Sequence, residues 1–460
     1  MQKGGSAVRR IKILAALLAL CLLCGCSGMS VDELYCLPEA SEDYYNLQDA
    51  LNEVLEQNYS YHAPSSGARR EPVQLVDLDH DGVDEAVAFF RSNEDGTVSA
   101  AIFSRQGDSY QKVDEIPCSG SAVGSVEYAD LDGSGSLEIL ITCQVSDAVT
   151  QALQVSRYSG GTAQQLLTAP CSRYELVDLD RKGGQEILTI ADGGADAMAE
   201  AVYYTLADGK IQPGQELVLG GCFSDILNIQ EGTLEDDIPA VLVTSKTEAG
   251  LATDVMVLGN DGALMQVDCG ELAVTASLSG GSLYPTDIDG DGCIEIPSPV
   301  DLPAEDAAHQ MQAVEWFGLT SGGSTAEKSV TYHQWNEKWY FVMPESWWGQ
   351  ITAEESSETQ AAYTIHTVTF RRWKRSQKAG DTIMTIYAIW GADRQTQAEQ
   401  RKLTSLYSDT DMILAVDIPA EVQPWEGTVS VAQVSERFHL ERTDSESGSG
   451  DRTDIEGKQS

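Results

Sequence analysis

An acidic loop that returns at regular intervals constrains this chain more than any other feature. Four segments align without gaps: LVDLDHDGVDEAVAFF from Leu75, YADLDGSGSLEILITC from Tyr128, LVDLDRKGGQEILTIA from Leu176 and PTDIDGDGCIEIPSPV from Pro285. Their first acidic residues are Asp77, Asp130, Asp178 and Asp287, roughly 50 residues apart except for a last gap about twice as long. The long gap predicts a worn copy near residue 230. ILNIQEGTLEDDIPAVLVTS fits there, with Asn228 and Gln230 in the first two acidic slots. Five units then run from Glu71 to Leu319.

Each unit repeats one layout. An apolar run enters the acidic loop and a strand-like run leaves it, as in EAVAFF and LEILITC. Two further strand-like runs follow, separated by turn signals such as Asn93-Glu94-Asp95-Gly96 and Gly107-Asp108. Four short strands in this span match a propeller blade. A single unit cannot bury both faces of its sheet, so the units must stack. The expected fold is mainly β, a β-propeller of about five four-stranded blades over residues 66–325. A solenoid or two packed sandwiches are the alternatives.

The intact loop reads D-x-D-x-D-G-x-x-E: Asp77, Asp79, Asp81, Gly82 and Glu85, then Asp287, Asp289, Asp291, Gly292 and Glu295. Carboxylates at positions 1, 3 and 5 can converge on one hard cation, with position 9 adding another. Such dense oxygen ligation suits Ca²⁺ better than Mg²⁺. Glycine at position 6 permits the sharp turn. An EF-hand needs an acidic residue at position 12, where this chain has Ala88, Ile141 and Ser298. The second loop keeps Asp130, Asp132 and Glu138 but has Ser134 at position 5, so weaker metal binding is expected there. In the third, Arg181 and Lys182 follow Asp178 and Asp180, and a lysine ammonium in place of the ion is expected.

These repeats resemble FG-GAP/VCBS repeats, the calcium-loop blades of integrin α-subunit propellers and of many exported bacterial proteins. The resemblance implies Ca²⁺ as the bound ion, held at the blade edge. It implies Asp77, Asp79, Asp81, Glu85, Asp287, Asp289, Asp291 and Glu295 as its ligands. It assigns no residue to recognition of any other ligand.

The N-terminus carries Lys3, Arg9, Arg10 and Lys12, then an apolar run from Ile13 to Leu23 that ends in Leu23-Cys24-Gly25-Cys26. This is a secretory-type leader, and its end resembles a bacterial lipobox. The resemblance implies removal of residues 1–25, acylation of Cys26 and a protein held on the outer side of the bacterial cell membrane. Residues 26–65 should hold the linker and an amphipathic helix from Ser41 to Gln57. Tyr44, Leu47, Leu51 and Leu55 fall on one face of that helix, with Ser41 at its N-cap. Seven cysteines remain: Cys36, Cys118, Cys143, Cys171, Cys222, Cys269 and Cys293. Export permits disulfides, but the number is odd, and several fit as small buried hydrophobes.

All eight tryptophans lie between Trp316 and Trp425. That asymmetry places a small α+β domain at residues 326–442. YTIHTVTF, TIMTIYAIW, MILAVDIP and TVSVAQV read as its strands, and TQAEQRKLTSLY as its helix. Arg371, Arg372, Lys374, Arg375 and Lys378 mark a basic hairpin tip. The Ser/Gly/Asp-rich residues 443–460 are expected to be a disordered tail.

Lys and Arg number 29 against 72 Asp and Glu, a formal charge of −43. Nucleic acid is thereby disfavoured as a partner, because phosphate binding needs a basic footprint. The sequence has no G-x-S-x-G, no H-E-x-x-H and no phosphate loop. The expected role is a non-catalytic binding module for an envelope or extracellular glycan or protein. The alternative is a polysaccharide-degrading enzyme, or an accessory to one, with its site on the propeller face.

Overall fold

The computed structural model describes residues 42–145, 151–193, 197–275, 278, 281–374, 378–420 and 425–441. Cys26, the leader, Ser41 and the tail from residue 443 lie outside them. The protein is mainly β, built from six antiparallel sheets of four or five strands taken in chain order.

Helix α1 (Glu42–Leu55) precedes the first sheet, which holds β1 (Tyr59–Tyr61), β2 (Val73–Val76), β3 (Glu85–Ser92), β4 (Val98–Gln106) and β5 (Ser109–Pro117). The second sheet is β6 (Ala122–Ala129), β7 (Glu138–Gln144), β8 (Gln151–Ser159) and β9 (Thr162–Cys171). The third is β10 (Arg173–Val177), β11 (Glu186–Ala191), β12 (Glu200–Ala207) and β13 (Lys210–Val218). The fourth is β14 (Ile226–Thr233), β15 (Pro239–Thr247), β16 (Gly250–Leu258), β17 (Leu264–Gln266) and β18 (Val274–Thr275). The fifth is β19 (Glu295–Asp301), β20 (Gln312–Leu319), β21 (Thr325–Gln334) and β22 (Trp339–Val342). The sixth is β23 (Ile351–Gln360), β24 (Tyr363–Lys374), β25 (Lys378–Trp390), β26 (Thr404–Ser408) and β27 (Met412–Asp417), with α2 (Arg394–Gln400) between β25 and β26. Helix α3 (Val431–Arg437) follows, and β28 (Phe438–Leu440) then returns to pair with β22.

Apolar faces join consecutive sheets. Val87, Phe89 and Ile102 of the first meet Ile139 and Ile141 of the second. Leu153 and Val155 of the second meet Ile187 and Tyr204 of the third. Leu188 and Tyr203 pack on Val241 and Met256 of the fourth. Leu242 and Val255 pack on Ile296 and Leu319 of the fifth. Trp339 and Phe341 pack on Trp347, Phe370 and Ile386, in and beside the sixth. Helices cover both outward faces. Leu47, Leu51 and Val54 of α1 lie on Ala88, Phe90 and Phe103, while Ala398 of α2 lies on Ile365, Ile389 and Ile413. Among the described residues no apolar cluster joins the first sheet to the sixth.

The structure redraws the C-terminal third. Strands β21 and β22, expected in the separate domain from residue 326, belong to the fifth sheet, because β21 pairs along β20 and β22 along β21. The helix read over TQAEQRKLTSLY stops at Gln400, Lys402 adopts a φ of 56°, and Thr404–Ser408 is a strand. TVSVAQV is no strand. Ser430 and Gln433 form a reciprocal capping box that starts α3.

Candidate metal centre

Loops one to three each join the first strand of the unit to the second, and loop five joins Thr286, bridged to Glu295, to β19, so the chain must reverse within eight residues. Position 1 holds the turn. Asp77 accepts from the backbone N–H of Asp81 at 3.1 Å and of Gly82 at 3.0 Å. Asp130 does the same with Ser134 and Gly135, and Asp287 with Asp291 and Gly292. At position 6, Gly82, Gly135, Gly183 and Gly292 have φ values of 89°, 90°, 92° and 91°, a region that disfavours any side chain. The glycine expected from the sequence is therefore a geometric requirement.

Position 9 locks the loop from beneath. Glu85 Oε2 accepts from Leu78 N at 3.1 Å, Glu138 from Leu131 N at 2.9 Å, Glu186 from Leu179 N at 3.1 Å and Glu295 from Ile288 N at 3.0 Å. All four glutamates are buried. Burial, aided by the neighbouring aspartates, pushes Glu85, Glu186 and Glu295 up to about 7. Each such carboxyl needs a proton or a cation beside it.

Loop one brings together Asp77, Asp79 and Glu85, each with a ligand atom within 4.8 Å of the others. Asp81 is outside that set, and its Oδ1 accepts from Val83 N at 2.8 Å. Asp79 Oδ1 is buried without a hydrogen-bond partner, and a hard cation would supply one. His80 is exposed, with a φ of 59°. In loop five, Asp287, Asp289 and Asp291 converge in the same way. Glu295 stands apart from that set, with a buried and unpartnered Oε1. These carboxylate-only donor sets fit Ca²⁺ rather than a soft metal.

Loops two, three and five carry cations of their own. In loop two, Arg157 Nε lies 2.6 Å from Glu138 Oε1 and its Nη2 lies 2.5 Å from Asp132 Oδ2. The guanidinium spans two residues expected as weaker ligands, and Ser134 Oγ turns to accept from Ser136 N. Loop three brings Asp178, Asp180 and Glu186 together. Lys182 Nζ sits 2.9 Å from Asp180 Oδ2 with its side chain largely exposed, so the salt bridge forms to one carboxylate of the set. Arg181 leaves its own loop for Asp237 at 3.0 Å. Loop five has Lys328 at 2.9 Å from Asp291 and 3.0 Å from Glu235. Among the described residues no basic side chain pairs with the carboxylates of loop one.

The worn fourth loop is displaced from its expected place. Asn228 and Gln230 lie inside β14 and hydrogen-bond to each other. The turn itself is Leu234–Ile238, where Leu234 N donates to Ile238 O at 2.9 Å instead of to a glutamate. The buried leucine of position 2 was the available signal, because Leu78, Leu131 and Leu179 all precede Leu234 in that role.

Contacts between the loops are not encoded in the spacing of any one of them. Leu137 N donates to Leu78 O at 2.8 Å, Gln185 N to Asp130 O at 2.9 Å and Ile294 N to Thr233 O at 2.8 Å. These bonds join loops one to two, two to three and four to five, and Arg181 Nη1, donating to Asp237 Oδ1 at 3.0 Å, joins three to four, so the five loops form one row. Arg157 and Lys328 were missed for a related reason: they approach from later strands, and only strand register reveals them.

One further polar line resembles catalytic chemistry. Thr331 Oγ1 lies 2.9 Å from His333 Nε2, and His333 Nδ1 lies 3.0 Å from Glu441 Oε1. Thr331 is completely buried, and its oxygen accepts the Trp316 indole N–H at 2.7 Å. A hydroxyl so enclosed offers no substrate access, and the line ties β20 and β21 to Glu441, the residue after β28. The basic residues expected at a hairpin tip are engaged nearby: Arg371 pairs with Glu354 at 3.0 Å, and Arg372 lies over the Trp425 ring. Arg375 lies outside the described residues.

No family model and no curated protein matches the chain. Solved structures similar to it include a protein from Lactobacillus plantarum, 8% identical, covering 63% of this chain and 92% of that one with a TM-score of 0.25. Rhamnogalacturonan lyase YesW is 13% identical over 80% of this chain and 74% of its own, with a TM-score of 0.27. The exotype rhamnogalacturonan lyase YesX is 11% identical over 79% and 73%, with a TM-score of 0.28. At these scores the likeness carries no argument about activity.

Proposed function

We propose that this chain is a calcium-stabilised binding scaffold. In this reading it is a propeller-type array of sheets tethered outside the bacterial membrane through acylated Cys26. It presents its surface, without catalysis, to a glycan or protein of the envelope or its surroundings. The observation that carries the metal part is the convergence of Asp77, Asp79 and Glu85 around an unpartnered, buried Asp79 Oδ1. Loop five supports it with a second acidic set. The run of sheets, each buried on its neighbour, supports a scaffold whose rigidity depends on its loops. A net charge of −43 opposes adsorption to anionic lipid and leaves the tether to the acyl chains.

The test is thermal melting of the mature chain in EDTA against millimolar Ca²⁺, with Mg²⁺ as control. A Ca²⁺-specific rise is expected, and an equal response to both ions or to neither would remove the calcium assignment. The calcium-loaded chain should then retain a wall or extracellular polysaccharide, or an envelope protein, without altering it. New reducing or unsaturated sugar ends would replace the scaffold with a polysaccharide-degrading enzyme. Cys26→Ala should release the chain from membranes, and retention would end the lipid-anchor reading.

A further inference from the structure

Cys118 follows the last strand of the first sheet, and Cys143 sits in β7 of the second. The segment that carries Cys118 is laid directly across the end of β7. Ser121 N donates to Gln144 O at 2.9 Å. A Cβ on Gly120 would lie 2.1 Å from that same oxygen, so the backbones meet with no room for a side chain. Gln154 Oε1 accepts from Ser119 N and from Cys143 Sγ, both at 2.8 Å. The residue next to Cys118 and the sulfur of Cys143 therefore meet at one atom. Both cysteines belong to one apolar cluster, Cys143 fully buried and Cys118 partly so.

We propose that Cys118 and Cys143 form a disulfide that staples the first sheet to the second. The microenvironment favours the chemistry as well as the geometry. Cys118 and the backbone N–H groups of Ser119 and Gly120 hydrogen-bond to Cys143 and push its thiol down, while the hydrogen bond with Cys143, and then burial, push Cys118 up. One thiolate of the pair is thus favoured, as thiol–disulfide exchange requires. With a small-molecule disulfide as oxidant, the step balances. One thiolate attacks a sulfur of oxidised glutathione and expels a glutathione thiolate. The partner thiolate attacks the mixed disulfide, forms the S–S bond and expels the second. Two protons are released, and the oxidant takes up the two electrons. Oxidation in cells rests on the export reading above, whereas the competence of the pair does not.

The experiment uses the full chain in detergent, reduced, freed of reductant and incubated with oxidised glutathione. It is then unfolded without reductant, blocked with iodoacetamide and digested with trypsin. Residues 113–157 contain no internal Lys or Arg, so both cysteines fall in one peptide. The expected result is that peptide lighter by two hydrogens and unalkylated, while Cys171, Cys222, Cys269 and Cys293 remain alkylated. Cys118→Ser should leave Cys143 alkylated or glutathione-bound. Alkylation of both cysteines in the wild-type chain, or linkage of either to a different cysteine, would overturn the proposal. A pair that oxidises in the purified chain but is recovered reduced from cells would leave the proposal standing and count against export.

Discussion

Arg157 reaches from β8 to Glu138 on β7, Nε to Oε1 at 2.6 Å, while its other arm holds Asp132 at 2.5 Å. The two residues face each other in strand register, so the guanidinium enters the loop from beneath, where an ion would otherwise neutralise the carboxylates. Arg157→Ala would strand a fully buried Glu138 carboxylate. Removing one partner of such a pair costs about 3 kcal/mol, to be read in urea unfolding. Because the vacated space is flanked by the carboxylates of Asp132 and Glu138, millimolar Ca²⁺ should recover part of the loss. Adding Glu138→Gln should relieve the stranded charge and abolish that recovery. An Arg157→Ala chain as stable as wild type, or one indifferent to Ca²⁺, would show that the arginine is not acting in the ion's place.

Loop one should supply most of the calcium response, because no built-in cation competes there among the described residues. A site with a dissociation constant of about 10⁻⁴ M adds about 1.4 kcal/mol at millimolar ion. Asp79→Asn keeps the size of the side chain while removing its charge. It should abolish most of the Ca²⁺-induced rise in melting temperature, whereas Asp132→Asn should leave that rise intact. An equal loss from both variants would place the dominant site elsewhere.

Lys328 should set the occupancy of loop five. Its ammonium bridges Asp291 and Glu235, and those partners hold its pKa well above the ordinary lysine value. Lys328→Met removes the competitor and leaves the two carboxylates facing each other. The expected outcome is a lower melting temperature in EDTA, by roughly the 2–4 °C that 1 kcal/mol shifts a domain of moderate size. Calorimetric titration should also show one more Ca²⁺ bound per chain than in wild type. An unchanged stoichiometry would mean that Lys328 only pins the fifth sheet to the fourth loop.

Much of this architecture was legible because continuous apolar runs and the loop spacing act locally. Glu85–Ser92 and Glu138–Gln144 leave their loops as strands, and Leu47 and Leu51 turn a helical face onto the first sheet, as their spacing predicts. The end of the fifth unit was not legible. Trp339 and Phe341 read as part of an aromatic-rich domain, whereas backbone pairing places them in a sheet begun at Glu295. At the site, the position 1 aspartates, the position 6 glycines and the position 9 glutamates stood out because each serves its own loop. Asp81 and Glu295 lie outside the convergent sets although Asp291 and Glu85 make the same loop hydrogen bonds and lie inside them, so spacing alone does not decide which carboxylates meet. Arg157 and Lys328 depend on contacts between strands and between sheets, which spacing along one loop does not encode.

The pH dependence of the metal-free chain should reflect the buried glutamates. Glu85, Glu186 and Glu295 are raised from 4.5 to about 7 in the folded state, first by burial and then by nearby aspartates. The folded form therefore holds protons that the unfolded chain releases. Their stabilising contribution is fully present below about 4.5 and is lost as pH rises through about 7. Asp180 and Asp291 are shifted the other way by their lysine partners, and Asp132 by hydrogen bonds from Ser134 and then Arg157 that outweigh its burial, so their contribution is present above 3.8 and is lost as pH falls further. In EDTA the melting temperature should decline from about pH 4.5 to about pH 7. Millimolar Ca²⁺ should flatten the upper part of that decline, since the ion takes the place of the proton beside Glu85. Glu85→Gln still accepts from Leu78 N without titrating, so it should show a shallower decline in EDTA and a smaller response to Ca²⁺. A metal-free chain whose melting temperature rises across that interval would mean that these glutamates are not held protonated by burial.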